Sequence, residues 1–577
     1  MADSLRKQCG KRWEALKSER SSWVPHWQEI SEVLLPRAGR FLVSDNNKGD
    51  KRHRAILDNS GTRALRTLSG GMMAGMTSPA RPWFRLTTKN PQLDENYEVK
   101  KWMTQVTTLM QMVFNQSNVY RALQMAYEEL GAFGTTSVIV LDDYDSIIHC
   151  MPLTIGEFAL ATDSRGDVNT CYREFRMTVS ALVGEFGYDK VSPNVRRLYD
   201  RGNYDEWIEV VNAIEPRSFR DPEKRDAKNM PFRSVYFEKN GKGDSILRES
   251  GFRQFPVLAA RWNVTGGDIY GTGPGMEALG DLRQLQQQQL HKSKAIAQQA
   301  DPAVIMSADM RNQEANLVPG GIVWADNVAQ VQGVRSAYEV NLRLDALLMD
   351  IQDVRRRIDE AFYKDIFLMI TGMPTTARAT ATEIAERHEE KMLMLGPVLE
   401  RLNAEMNDRL IAMTFDRMVQ VGMLPPVPQE LQGIDLNVEF VSILAQAQRA
   451  VATNAVDRFT QNLGMLVAIK PDLADKFDAD YWADYYSDVL GLDPQLIVPG
   501  KQVALIRQQR AEQQAKMMQM EQAKEMASVA KDLGAAQAAV PASPMSPLQG
   551  TLQSASPEQS QRGDERPTDR HDVRPHG

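Results

Sequence analysis

MEALGDLRQLQQQQLHKSKAIAQQA at 276–300 and YEVNLRLDALLMDIQDVRRRIDEAFYKDIFL at 338–368 decide the architecture. The first opens apolar at Met276, Leu279, Leu282 and Leu285, then turns polar through Gln286–Gln289. At the α-helical rise the two would span about 37 Å and about 45 Å. A helix as polar as the first must be solvated or pack laterally against other chains. Between them, DPAVIMSADMRNQEANLVPGGIVWADN at 301–327 is broken by Pro302, Pro319, Gly320 and Gly321, which predicts a small strand-and-loop excursion. Two long helices around a compact insert make a stalk with a tip. On the second helix Arg355, Arg356 and Arg357 sit among Asp350, Asp353, Asp359 and Glu360. Three consecutive residues point to different helix faces, so ion pairs between subunits are expected, with DNA contact by one or two of them as the alternative.

Upstream, residues 4–35 read as helical, with Trp13, Leu16, Trp27, Ile30 and Leu34 at spacings of three or four where they cluster, and Pro25 starting or kinking a helix. DNSGTRALRTLSGGMMAGM at 58–76 opens on capping residues. Its small residues Ala64, Ser69, Gly70, Gly71, Ala74 and Gly75 would admit a close backbone. A loop and short strand follow at 77–86, then two helices over 96–133, split near Asn115–Asn118. At Gly134 the character changes. TTSVIVLDDYDSIIHCMPL alternates and is β-branched, with a hairpin turn at Asp142–Asp145. Strand-like runs continue through 156–179, 206–213, 232–239 and 255–264, so 134–264 reads as a β-rich insertion in a helical protein.

Downstream, LMITGMPTTARAT at 368–380 is a hydroxyl-rich loop, and 381–420 a long helix that Pro397 should kink. Leu395, Leu399, Leu402, Met406, Leu410 and Met413 step by 4-3-4-4-3, and Glu383–Arg387 and Glu405–Arg409 are spaced as i,i+4 pairs. A strand at 434–442, a helix from about 445, an acid-rich stretch at 472–493 and a Gln/Ala/Met-rich helix from about 499 to 533 follow. The Pro/Ser/Gln-rich tail is expected to be disordered. The fold class is α+β, mainly helical.

The 577 residues carry a net charge of −7, unevenly spread. Residues 1–89 balance at +9, and the remainder at −16 (51 basic against 67 acidic). Tight DNA binding uses many Lys/Arg–phosphate contacts, so a net-acidic chain argues against a tight DNA binder and stays compatible with a protein that lets DNA slide. The basic N-terminal part would face phosphate or an acidic protein, or be plain solvated surface. The opening MADSLRKQCGKRW lacks a signal-peptide core, and Cys9, Cys150 and Cys171 lack metal-ligand spacing, so reduced thiols are expected. No apolar run is long enough for a membrane span.

Catalytic signals are sparse. There is no GxxxxGK[ST] loop, so the chain does not resemble a DNA-pumping ATPase. GTGPG at 271–275 reads as a helix-initiating hinge, since Pro274 removes an N–H that a phosphate cradle needs. His388-Glu389-Glu390 lacks the second histidine of a zinc motif. Asp142, Asp143 and Asp145 could hold Mg²⁺ in a nuclease, although a turn explains them more simply. No enzyme, cofactor or metal site is expected.

Several stretches, in order over roughly 10–515, resemble the head-to-tail connector (portal) family of T7-like short-tailed bacteriophages. They are RWEALKSERSSWVPHWQEISEVLLPRAGRF at 12–41, DNSGTRALRTLSGGMMAGMTSPARPWFRL at 58–86, YGTGPGMEALGDLRQLQ at 270–286, TATEIAERHEEKMLMLGPVLERLNAEM at 380–406, FVSILAQAQRA at 440–450 and LGLDPQLIVPGKQVALIRQQRAEQQ at 490–514. The resemblance implies a portal fold assembling as a ring of about twelve subunits, a heterologous contact that closes. It divides the chain into a helical wing part at 1–133, a β-rich wing at 134–265, a first stem helix at 266–300, a clip at 301–335 and a second stem helix at 336–368. A tunnel loop and channel helix at 369–423, wing- or crown-proximal elements at 424–498, a crown helix at 499–535 and the tail at 536–577 complete it. Thr375, Thr376, Arg378 and Thr380 would face the DNA. Asp353, Arg355, Arg356, Arg357, Asp359 and Glu360 would serve as subunit contacts or lumen charges. The implied partners are double-stranded DNA, the large terminase subunit, tail or adaptor proteins, and scaffolding and major capsid proteins, at one vertex of the virion. Another virion protein, such as a tail tube, is the alternative; it would not need two long helices around an insert.

Overall fold

The computed structural model describes residues 4–537 apart from 44–48, 50–51, 95, 225, 242–244, 301–303, 306–334, 337–343, 372–394, 435, 442–458, 467–469, 471–476, 491–497 and 499. The tip at 301–335, apart from two short strands, and the loop carrying Thr375, Thr376, Arg378 and Thr380 therefore lie outside the described residues, as does Glu383–Arg387.

Residues up to Ile497 form one unit and those from Val498 a second. The first begins with α1 (Leu5–Arg20) and α2 (Val24–Val33), and Pro25 occupies the first turn of α2. There its missing N–H costs nothing. Next comes α3 (Ser60–Met76). Asp58 accepts from the Ser60 N–H at 2.9 Å and from the Ser60 hydroxyl at 2.6 Å, a turn that leads into α3. Strand β1 (Phe84–Thr88), the short α4 (Pro91–Asp94), α5 (Tyr97–Gln116) and α6 (Val119–Phe133) follow. The expected split falls at Ser117–Asn118.

The small residues of α3 act as expected only in part. A side chain at Gly71 would run into the Phe367 ring, while Gly70 and Gly75 face open space. Gly61, not anticipated, gives room to Leu282.

The β-rich insertion holds two sheets. β2 (Ser137–Asp143) and β3 (Ile147–Leu153) form the expected hairpin, extended by β9 (Val257–Leu258). A five-stranded antiparallel sheet runs in the order β4 (Phe158–Thr162), β5 (Val168–Thr178), β6 (Trp207–Pro216), β7 (Phe232–Glu238), β8 (Arg248–Phe252). Helices α7 (Val179–Phe186) and α8 (Pro193–Asp200) intervene between β5 and β6. Helix α1 buries Cys9, Trp13 and Leu16 against this sheet's Tyr172, Val211 and Phe237.

The chain leaves the insertion through GTGPG. Gly134 has φ +70°, and a side-chain carbon on Gly275 would lie 2.2 Å from the Ala132 carbonyl oxygen. One on Gly271 would lie 2.5 Å from that of Gly134. Two backbones cross here in direct contact, which only glycine permits. Pro274 then opens α9 (Pro274–Glu277), and α10 (Leu279–Ala300) runs on as the first long helix.

The strands β10 (Val304–Ile305) and β11 (Arg335–Ser336) pair antiparallel, and α11 (Leu344–Ala361) packs along α10. The continuous helix expected to 368 is broken. Tyr363 has φ +52°, and α12 (Lys364–Thr371) leaves in a new direction. The turn buries Phe362 completely and brings Phe367 onto Gly71. Residues 395–402 are helical and continue through a π-turn at Asn403–Asn407 into α13 (Asp408–Val421). Strand β12 (Leu436–Phe440) then pairs antiparallel with β1, with Arg85 opposite Glu439. Helix α14 spans Ala479–Leu490. The second unit contains α15 (Gly500–Gln537), whose described side chains are exposed almost throughout, Met517, Met518 and Met520 included. Among the described residues, no helix is long and apolar enough to cross a membrane.

Candidate functional site

The polar residues of α10 and α11 meet around Asp58. Gln286 Oε1 accepts the N–H groups of Leu57 and Asp58 at 2.6 and 2.8 Å, and its Nε2 donates to the Asp58 carbonyl at 2.9 Å. Gln289 donates to Asp58 Oδ2 at 2.9 Å, and Gln288 to Asp350. Gln286 and Gln288 are buried. Part of the run read as needing other chains is thus satisfied within this one.

The three arginines diverge, as three adjacent helical residues must. Arg355 reaches Asp58 Oδ2 with Nη2 at 2.6 Å and Nε at 3.1 Å, a charge-assisted fork onto a buried carboxylate. Arg357 meets Asp281 of α10 at 3.3 Å and Asp353 at 3.7 Å. Arg356 lies outward, 71% exposed, touching Asp353 at 2.9 Å and Glu360 at 3.8 Å. Asp359 takes Lys364 at 2.6 Å. Burial pushes the Asp58 carboxyl upward, but the hydrogen bonds from Ser60 and Arg355 outweigh it and hold the group below the usual carboxylate range. Leu290, Ile296, Leu348 and Met349 of the two helices are exposed.

A second node joins the insertion to the helix after 395. Arg261 Nε donates to Glu405 Oε1 at 3.1 Å, its Nη2 reaches the same oxygen, and its backbone N–H donates to Oε2 at 2.9 Å. Both side chains are more than nine-tenths buried. The expected Glu405–Arg409 pair is corrected here: Glu405 turns inward to Arg261, and Arg409 donates to the Val168 carbonyl at 3.1 Å. The π-turn makes this possible by rotating the helix past Glu405. Leu402, Met406 and Leu410, before, within and after this turn, are all fully buried.

The match to known proteins then falls on most of this architecture. The family model for bacteriophage head to tail connecting protein matches residues 6–498. A protein of Bordetella phage BPP-1 described as a probable portal protein is 58% identical over 523 residues, 91% of this chain and 94% of that one. The portal protein of Salmonella phage epsilon15 is 42% identical over 542 residues, 94% of this chain and 97% of the other. The chain belongs to the bacteriophage head-to-tail connecting protein family. Among solved structures, the neck of an empty gene transfer agent particle aligns with 80% of this connector-family chain and 98% of its own, at 13% identity and TM-score 0.36. The family match ends just before α15.

The acidic turn of the connector chain is occupied by structural work. Asp143 accepts from the Ser146 N–H at 2.9 Å and hydroxyl at 2.5 Å, and Asp142 pairs with Arg417 at 2.7 Å. That geometry is a capped hairpin. All three cysteines are buried; burial pushes Cys9 up to about 11, and Cys150 and Cys171 up to about 12, so the thiols stay protonated and poorly nucleophilic.

Proposed function

We propose that this chain is one subunit of a ring-shaped portal at a single capsid vertex of the virion, a conduit for double-stranded DNA during packaging and ejection. The observation that carries the reading is the family match over 6–498, joined to two relatives with portal names along nearly their whole lengths. The ring holds about twelve copies, joined by a heterologous contact that closes. The helices α10 and α11 are its stem, 301–335 its clip and 369–380 its tunnel loop. The remainder of the chain beyond residue 89, at −16, suits a channel that repels phosphate, and contacts to the duplex go to the backbone because packaging ignores sequence. Thr375, Thr376, Arg378 and Thr380 make those transient contacts. The clip docks the terminase during DNA entry and tail or adaptor proteins afterwards. Scaffolding and major capsid proteins surround the ring. The chain is conduit and adaptor, and hydrolysis belongs to the terminase.

Native mass spectrometry with negative-stain microscopy tests this. A closed ring with a central channel, in the presence of scaffolding protein if it does not form without, is the expected result. A species that stays monomeric or dimeric even with scaffold overturns the reading. In assembled particles, shortening Thr375–Thr380 should leave the ring intact and reduce DNA retention.

A further inference from the structure

Between α1, the chain at 40–43 and the start of β4 lies a cavity of about 440 Å³. Its walls carry four cations, Lys17, Arg20, Arg40 and Arg176, and two carboxylates, Glu157 and Glu174. Both carboxylates are already spoken for. Glu157 takes Arg173 at 2.6 Å and Arg40 at 3.7 Å. Glu174 takes Lys239, the Trp13 indole N–H at 3.0 Å and Lys17 at 3.7 Å. Arg176 leans on Glu209 at 3.9 Å.

Arg20 stands apart. It is only 8% exposed, its Nη1 donates to the Phe158 carbonyl, and its Nε has no partner. Among the described residues no carboxylate lies within ion-pair distance of it. Burial pushes its pKa down, against a weaker upward pull from Tyr270 and Glu174. The side chain borders a cavity that already holds a surplus of positive charge.

At the floor of the same cavity, no described strand pairs with the end of β5 on its β4 side. β4 pairs with β5 only from Phe158 opposite Arg173 onward. One more hydrogen bond, Glu174 N–H to the Glu157 carbonyl at 3.1 Å, shows that Glu174 directs its backbone toward the β4 side. Alternation along the strand turns the N–H and C=O of Arg176 to that side too. Among the described residues no strand lies opposite Arg176 there. Beside it, Phe175 and Trp207, the latter 47% exposed, offer apolar surface.

We propose that this groove binds an extended acidic peptide segment of a partner protein, which adds as a strand beside Arg176 and sets one carboxylate against Arg20. Strand addition supplies affinity through main-chain hydrogen bonds, and alternate side chains supply selectivity. A singly charged carboxylate fits better than a phosphate, because Glu157 and Glu174 in the walls repel a dianion more strongly than a monoanion. The next side chain of the same face, if apolar, covers Trp207. The site stands independently of the conduit reading, since it uses neither the long helices nor the loop at 369–380.

The test is fluorescence anisotropy of a labelled peptide alternating aspartate and leucine, titrated with the full chain, against the same peptide with asparagine replacing aspartate. The aspartate peptide should bind at least about tenfold more tightly, the scale of a charge-assisted hydrogen bond. Arg20→Met should remove that preference, with circular dichroism confirming the fold. Should Arg20→Met unfold, Lys17→Gln at the partly exposed rim should weaken binding about threefold. Arg176→Pro should bind about tenfold more weakly than Arg176→Ala, because proline deletes the groove-facing N–H while the ladder to β6 survives. Equal binding of both peptides overturns the proposal. Equal binding by Arg176→Pro and Arg176→Ala does too, as does displacement of the peptide by inorganic phosphate at equal concentration, which would make this a phosphate site.

Discussion

The five-stranded sheet and the two long helices handle charge in opposite ways. In the sheet, Glu174, Glu215 and Glu249 each meet a cation of the same chain, and Tyr172, Val211 and Phe237 close a core against α1. On α10 and α11 the inner faces are equally settled around Asp58, but Arg356, Leu348 and Met349 look outward, Met349 being 70% exposed. In the sheet these charges are answered within one chain. The helices are complete on one side only, and the open side mixes apolar and charged groups as a subunit contact does.

The sharpest way to break that comparison is Glu405→Ala, which strands Arg261 without counter-charge inside the protein. A loss of about 3–5 kcal/mol in denaturant unfolding is expected; a loss under about 1 kcal/mol would mean the node is cosmetic. Next comes Glu129, fully buried and accepting from the Thr154 hydroxyl at 2.6 Å and the Ile155 N–H at 3.1 Å. Burial raises its pKa from 4.5 to about 7. The folded state therefore binds the proton more tightly than the unfolded one, and stability falls as pH rises from 4.5 to about 7. The total is about 3 kcal/mol. Glu129→Gln should flatten that slope in thermal melts taken across the window, and an unchanged slope would refute the assignment. Asp58→Ala should cost about 2 kcal/mol, through the lost bonds from Ser60, Gln289 and Arg355. Because its carboxyl is depressed, its contribution is present above the unfolded carboxylate pKa and fades as pH falls through the folded value. Smallest is the paired change Arg356→Ala, Met349→Ser. It should alter unfolding by less than about 0.5 kcal/mol yet reduce ring formation in native mass spectrometry. If it destabilises the monomer instead, the outer face is not free for a neighbour.

Local signals carried far along this chain. Pro25, the break at Ser117–Asn118, the Asp142–Asp145 turn and the pairing-competent run at 434–442 all declare themselves within a few residues, because capping, turn chemistry and alternation are short-range. The bend at Tyr363 was not legible, since EAFYKDIF has unbroken helical character; what turns it is the seat for Phe367 on Gly71, almost three hundred residues away. Arg261–Glu405 was equally hidden, being a contact across 144 positions. Glu405 even had a plausible local partner in Arg409. Nothing in the seam, whose steps average the ordinary helical period, marks the π-turn at Asn403–Asn407. Arg355 stands out in the sequence as a stem charge expected to pair between subunits; the structure pairs it within the chain with Asp58, which reads in the sequence only as a helix start.

The crossing of Gly134 with Gly271 and Gly275 has a mechanical consequence. A joint made of side chains can yield by changing rotamers. One made of two bare backbones has none to change, so a push along α10 passes into the insertion as through a welded strut. At this crossing no side-chain repacking can absorb a displacement, so one backbone segment moves only if the other moves with it.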